Sequence, residues 1–252
     1  MTRLRFLIWL LVALCASIVL YAAAQMQRET RCAGLEIRIK QHQDSFFIDQ
    51  SDVESMIREE AHGNNLTLPV KDIDLQQIEA HLESNPYIAK AEAYIDANQK
   101  LWVDIEQHQP IVRVIDARNL DYYLSKEGNK MPATDNFTSR VPIATGNIND
   151  NGKDTGKIAL PPLQNIFQLA QIIDKDQFLK SLVEQIYSAP NGDLILIPKI
   201  GNHDIIVGNL DNIEEKIKNL HVFYQEALPN VGWDKYQSIN LKFKGQIVAK
   251  RR

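Results

Sequence analysis

Residues 85–110 read NPYIAKAEAYIDANQKLWVDIEQHQP, and no other stretch constrains the fold as tightly. Ala89, Ala91, Ala93 and Ile95 fall on one face of an alternating run, with Lys90, Glu92, Tyr94 and Asp96 on the other. Leu101, Val103 and Ile105 then alternate with Lys100, Trp102, Asp104 and Glu106. A period of two with one oily face is the pattern of a strand covered on one side only. Asp96-Ala97-Asn98-Gln99 supplies turn-forming residues between the two runs. The stretch therefore predicts a hairpin that needs a cover.

The preceding residues supply one. Residues 35–40, LEIRIK, alternate as a further strand. Ser51-Asp52-Val53-Glu54 has the form of a capping box, which predicts a helix to about Glu60 with Val53, Met56 and Ile57 as its stripe, ended by His62-Gly63-Asn64-Asn65. Asp74 is a second N-cap; Leu75, Ile78 and Leu82 follow at helical spacing, and Asn85-Pro86 stops that helix. The order β-α-α-β-β predicts a small α+β domain over residues 25–109. Pro110 marks the break.

Beyond it, residues 111–116, 120–124 and 141–144 read as strands, and residues 165–189 carry a mostly helical pattern with Phe178, Leu179, Leu182, Val183 and Ile186 as core. Residues 194–197 and 204–207 read as strands about a Gly201-Asn202 turn. Asp211-Asn212-Ile213-Glu214 caps a helix whose stripe is Ile213, Ile217, Leu220 and Tyr224. Near the end, Ile239, Leu241 and Phe243 alternate with Asn240, Lys242 and Lys244, and residues 247–249 form a last strand. Residues 110–252 are thus expected to form a larger mixed α/β domain with an extended, mostly antiparallel sheet.

Residues 6–24, FLIWLLVALCASIVLYAAA, carry no charge. As a helix they match a hydrocarbon core of about 30 Å. Arg3 and Arg5 precede the run, which favours a cytoplasmic tail of residues 1–5 and a retained transmembrane helix over 6–24. Ala22-Ala23-Ala24 also fits a signal-peptide cleavage site, so a cleaved leader is the alternative.

The net charge of −4 gives no electrostatic reason to expect a nucleic-acid partner. Lys250-Arg251-Arg252 is the densest basic cluster and reads as a solvated tail. The two cysteines, Cys15 and Cys32, form neither a disulfide framework nor a CxxC pair. No two of the six histidines have metal-ligand spacing, and GxSxG and SxxK are absent. Gly146 to Lys153 departs from a phosphate loop in its spacing and at Asp154. As a calcium loop, Asn147, Asn149 and Asn151 offer only amides, and Ile158 stands where the closing Glu belongs. No catalytic set, cofactor, metal or small-molecule substrate is expected. An envelope hydrolase with a site assembled from distant residues is the enzyme alternative.

Taken together, the chain resembles the bacterial cell-division family FtsQ/DivIB, whose small domain is a POTRA domain. Asn85-Pro86-Tyr87-Ile88 resembles the family's entry into its first hairpin strand, and Gln107-His108-Gln109-Pro110 sits where the family has Glu-Arg-x-Pro, with the proline alone retained. Tyr122-Tyr123-Leu124-Ser125-Lys126-Glu127-Gly128 with Met131-Pro132 is similar to a further segment, Ser125 standing where Asp is usual. Arg140 to Gly146, Ile206-Val207-Gly208, Glu215-Lys216, Leu220, Phe223-Tyr224 and residues 236–248 continue the likeness. The resemblance implies a non-enzymatic divisome protein of the inner membrane, enriched at the septum, with its bulk in the periplasm. It would bind FtsB- and FtsL-like bitopic coiled-coil proteins and help regulate septal peptidoglycan synthesis. It further implies that a partner adds a strand at Ser238, Ile239, Asn240, Leu241, Lys242, Phe243, Lys244, Gln246, Ile247 and Val248. An exported POTRA-type chaperone of outer-membrane assembly, with its signal peptide removed, is the alternative.

Overall fold

The computed structural model describes residues 9–21, 31–40, 46–60, 69–134, 137–150, 158 and 161–252. Two compact units emerge, residues 1–41 with 48–107 and residues 42–47 with 108–252. Residues 9–21 form α1. Among the described residues no helix is long and apolar enough to cross a membrane. The expected span of residues 6–24 runs past α1 at both ends, where residues 6–8 and 22–24 lie outside the described residues. So do the predicted helix end at 62–65 and residues 151–157 of the polar loop.

The first unit runs β1 (Gly34–Lys40), α2 (Gln50–Glu60), a 3-10 turn (Val70–Asp72), α3 (Leu75–Glu83), β2 (Ile88–Ile95) and β3 (Lys100–Gln107). The strands lie in the order β1-β3-β2, β1 parallel and β2 antiparallel to β3. A parallel neighbour needs a long crossover, and α2 and α3 belong to it. Val53, Ile57, Ile78 and Leu82 of these helices are buried in one core with Leu101, Val103 and Ile105 of β3. Leu35, Ile37 and Ile39 pack against it from β1.

Two local expectations are corrected. The capping box begins at Asp49, two residues earlier than Ser51. Asp49 Oδ1 accepts the N–H of Asp52 at 2.9 Å and Asp52 Oδ2 accepts the N–H of Asp49 at 2.9 Å. A carboxylate outcompetes a hydroxyl for this role, and Ser51 Oγ donates to Asp49 instead. Glu54 pairs with Arg58 one turn on. In β2 a bulge falls between Ile88 and Lys90, so Ala89 is exposed and Ile88 joins the core face with Ala91. The turn is as expected: Asp96 Oδ1 accepts the N–H groups of Asn98 and Lys100 at 2.8 and 2.9 Å.

The second unit contains β4 (Pro110–Ile115), β5 (Asp121–Ser125), β6 (Lys130–Pro132), β7 (Ile143–Gly146), α4 (Pro161–Lys175), α5 (Gln177–Leu182) and β8 (Val183–Ser188). There follow β9 (Leu194–Pro198), β10 (Asp204–Gly208), α6 (Ile213–Val222), a π turn (Phe223–Ala227), α7 (Leu228–Val231), β11 (Tyr236–Asn240) and β12 (Val248–Arg251). One nine-stranded sheet has the order β12-β11-β10-β9-β8-β7-β4-β5-β6. It is antiparallel except at β10–β11, β7–β8 and β4–β7.

A single row of cross-strand partners spans most of this sheet: Tyr122, Val114, Ala144, Ile186, Leu196, Ile205, Ile239 and Ala249. All but Ala249 are buried. Leu163, Ile166 and Leu169 of α4, Leu179 of α5 and Leu220 of α6 share their core.

The helical reading of residues 165–189 is corrected, because α5 ends at Leu182 and residues 183–188 form β8. Leu182, Val183 and Ile186 also fit helical spacing, but a parallel neighbour in β7 takes the segment into the sheet. The predicted cap of α6 makes no side-chain cap bond. Gly146 carries φ +102°, and a Cβ there would lie 2.3 Å from the Ser188 carbonyl oxygen. Gly146→Ala is expected to destabilise the chain by about 1–3 kcal/mol, read as a lowered denaturation midpoint.

Candidate functional site

The nearest approach to a catalytic set is Ser125, Glu127 and His108. Glu127 Oε2 accepts from Ser125 Oγ at 2.8 Å and lies 3.2 Å from His108 Nδ1. In a nucleophilic triad the imidazole stands between hydroxyl and carboxylate, whereas here the carboxylate stands between. Ser125 is fully buried, and its oxygen accepts the N–H groups of Glu127 and Asn129 at 3.2 Å each. It therefore closes the β5–β6 turn. An aspartate at this position would accept the same amides, which gives the unusual serine a structural reason. Among the described residues no group of His, Cys, Asp or Glu could hold a metal ion.

His203 is buried just before β10, with Nε2 2.7 Å from the Tyr224 hydroxyl. Burial pushes its pKa down, against smaller pulls from the Trp233 backbone and Asp204. Burial also raises Tyr224, which stays a hydroxyl.

Sheet surfaces and edges remain. On the outer face of the first sheet, Arg38 pairs with both oxygens of Asp104 at 2.7 and 2.8 Å, hydrogen-bonds Tyr94, and lies 4.7 Å from the centre of the Trp102 ring. Lys100 pairs with Glu36, Lys40 with Glu106, and Lys90 with Glu92. Exposed pairs of this kind contribute little to stability. Their consequence is a face whose charges cancel.

The edge at β2 is closed from within. Glu83 Oε1 accepts the N–H of Ala91 at 3.1 Å, and Glu79 Oε1 accepts the N–H of Ala93 at 2.7 Å. Both glutamates stand one turn apart on α3, so a single helix face caps successive outward amides of the strand. An added strand would have to displace two charged acceptors.

The large sheet ends in β6 and β12. β6 has three residues and finishes at Pro132, which lacks an N–H. β12 ends the other side, and among the described residues no strand pairs with its outer edge. Of the residues expected to receive a partner, Ser238, Ile239 and Asn240 lie in β11, which has β10 on one side and β12 on the other. The predicted strand stops there, because Asn240 Oδ1 turns back to accept the N–H of Lys242 and Leu241 N bonds Ile206 O at 2.9 Å. Lys242 runs its stem across Gly208, and its ammonium pairs with Asp193 at 2.7 Å. Phe243, Lys244 and Gly245 form an exposed turn, and Gln246 follows it, also exposed. Ile247 packs on the core. Val248 opens β12, which continues to Arg251, past the expected end at Ala249.

Ala249, Lys250 and Arg251 were not among the expected site residues. Residues 247–249 read as a strand, but Lys250-Arg251 carries no apolar residue to show that it runs on to Arg251.

Residues 109–250 match the family described as FtsQ/DivIB, C-terminal related, and residues 30–106 match the POTRA-like domain. The chain is similar to the cell division protein FtsQ of Salinibacter ruber, 24% identical over 173 residues that cover 67% of this chain and 66% of that protein. It is similar also to the cell division protein FtsQ of Rhodothermus marinus, 23% identical over 183 residues that cover 71% of this chain and 66% of that protein. The chain thus spans just under two thirds of the length of either relative.

Two outcomes test the geometry. Glu79→Ala with Glu83→Ala should speed amide exchange at Ala91 and Ala93 by about tenfold or more, the loss of one charged hydrogen bond each. Unchanged protection would mean that the caps do not hold the edge. For His203, the folded pKa lies below the unfolded one, so the unfolded chain takes up the proton first. That stability is fully present above about pH 6.5 and is lost as pH falls toward the folded value. His203→Phe should flatten this part of the stability profile, measured by denaturant titration between pH 7.5 and 5.

Proposed function

We propose, on the premise that the chain belongs to the FtsQ/DivIB family, that it is a divisome protein acting by docking and not by catalysis. It scaffolds septum assembly by holding bitopic coiled-coil proteins of the FtsB and FtsL kind in the periplasm, and through them helps regulate septal peptidoglycan synthesis. Residues 6–24 anchor it in the inner membrane, with residues 1–5 in the cytoplasm. Residues 25–109 form the POTRA-like domain and residues 110–252 the docking domain.

The observation that carries this reading is the open edge of β12 at the end of the nine-stranded sheet. Unpaired backbone groups on such an edge can be satisfied by an incoming strand. Phe243 and Val248, 48% and 44% exposed, provide apolar contacts beside it. Strand addition then falls on β12. Residues 238–240 support it from the second row, and residues 241–247, with their turn at 243–245, lead into it.

Phe243→Asp and Val248→Asp change exposed positions and should leave the circular dichroism spectrum unaltered. Each is expected to reduce co-purification of the coiled-coil proteins from detergent-extracted membranes by at least about tenfold, the effect of losing one contact of about 1.4 kcal/mol. A tagged wild-type copy should collect at the septum. Undiminished recovery from both variants would remove the β12 edge as the docking site, and uniform envelope labelling with normal division on depletion would remove the divisome role.

A further inference from the structure

The C-terminal end of β12 is fastened to a turn that holds a buried imidazole. Residues 199–203 join β9 to β10. Arg252 follows β12, and its guanidinium donates to the carbonyls of Asn202 and Tyr236. Its backbone N–H bonds Lys235 O at 3.2 Å. His203 is the next residue after Asn202 and is buried. Its Nε2 lies 2.7 Å from the Tyr224 hydroxyl on the π turn. Its ring packs on Gly201, where φ is +87° and a Cβ would lie 2.6 Å from His203 Cε1. The turn therefore has no slack around the ring: the imidazole fixes the path of the backbone that carries the Asn202 carbonyl.

The charged groups around this ring come from several elements. Asp204 opens β10, Asp234 lies between α7 and β11, and Arg252 follows β12. Lys199 and Lys235 are exposed in the same segments. Tyr224 remains a hydroxyl and supplies no countercharge. Beyond it, Phe178 of α5 packs on both the Tyr224 ring and His221, which lies 3.2 Å from Asp176. Burial and Arg252 disfavour the charged imidazole, whereas the Trp233 backbone, Asp204 and Asp234 favour it, and burial is the largest of these effects. Both aspartates are exposed, so water weakens their pull.

We propose that His203 is a proton-operated latch on the C-terminal end of β12. The neutral ring fits the turn and keeps the Asn202 carbonyl where Arg252 reaches it. A protonated ring sets a second cation beside that guanidinium and is costly to keep from water, so the turn moves and residues 250–252 come free. The latch is closed above about pH 6.5 and opens as pH falls below it. Its consequence for docking rests on the strand-addition reading above: in acid the receiving edge is no longer held still, and the partner is bound more weakly. Coupling of this kind is reciprocal. If protonation of His203 weakens the Arg252 tie, loss of the tie must make His203 easier to protonate.

The test uses the full chain in a neutral detergent. Amide exchange over residues 248–252, corrected for the intrinsic effect of pH, should quicken about tenfold between pH 7.5 and 5.5, the factor for a group that regains an ordinary pKa when the latch opens. Low denaturant should leave that rate unchanged, the mark of a local opening. His203→Gln keeps a polar group for Tyr224 but takes no proton, and should abolish the change. Arg252→Gln should leave the strand end equally loose at both pH values and raise the His203 pKa followed by imidazole NMR. Recovery of the coiled-coil proteins should fall with pH for the wild type and not for His203→Gln. The same pH response in His203→Gln, a rate that climbs with denaturant, or an unmoved His203 pKa in Arg252→Gln overturns the latch. If exchange shows the latch while recovery does not change with pH, the latch stands and docking at β12 fails.

Discussion

A strand at the end of a sheet leaves half of its amides and carbonyls without a strand to bond, and each sheet in this protein must deal with that. At β2 the answer is chemical: two glutamates of α3 occupy the outward amides of Ala91 and Ala93. At β6 it is brevity, with three residues and a terminal proline. At β12 neither device is present. The strand is short but carries no proline, and its side chains supply charge without any carboxylate cap. An edge left uncapped can take up an incoming strand, whereas a capped edge excludes it.

An open edge recognises a partner only if it is held still. The closing strands are fixed at several points. Leu241 N bonds Ile206 O, so β10 grips the chain just past the end of β11. Lys242 crosses Gly208 to reach Asp193, and the absence of a Cβ there leaves the room its stem requires, since one would lie 2.7 Å from Lys242 Cγ. At the far end, Arg252 is tied to the carbonyl of Asn202 in the β9–β10 turn. Between these ties Ile239 locks the strands into the core row. The cations left facing solvent are the ones that hold no part of the fold in place.

Where local chemistry decides the structure, the sequence was readable. The 85–110 hairpin, its Asp96 turn, the Asp74 cap and the apolar stripes of α2, α3 and α6 all depend on neighbours within a few residues. Where a distant partner decides, it was not. The bulge at Ala89 depends on how β2 meets β3, and it shifts Ile88 onto the core face. β8 reads as a continuation of α5 because Val183 and Ile186 fit a helical spacing, and only β7 and β9 make it a strand. β6 is too short to carry a period. Lys250-Arg251 resembled a solvated tail because nothing within those residues signals that β11 has recruited them.

The two units use charge in opposite ways. On the outer face of the first sheet every cation has a carboxylate beside it: Arg38 with Asp104, Lys100 with Glu36, Lys40 with Glu106, Lys90 with Glu92. Such a face has little net field with which to draw in or repel a partner. In the second unit several carboxylates are taken up within the fold. Asp193 is taken by Lys242, Asp121 by Arg113 and Asp150 by Lys130, all on strands or turns away from β12. Lys244, Lys250 and Arg251 form no ion pair among the described residues, and the latter two lie on an edge that no strand covers.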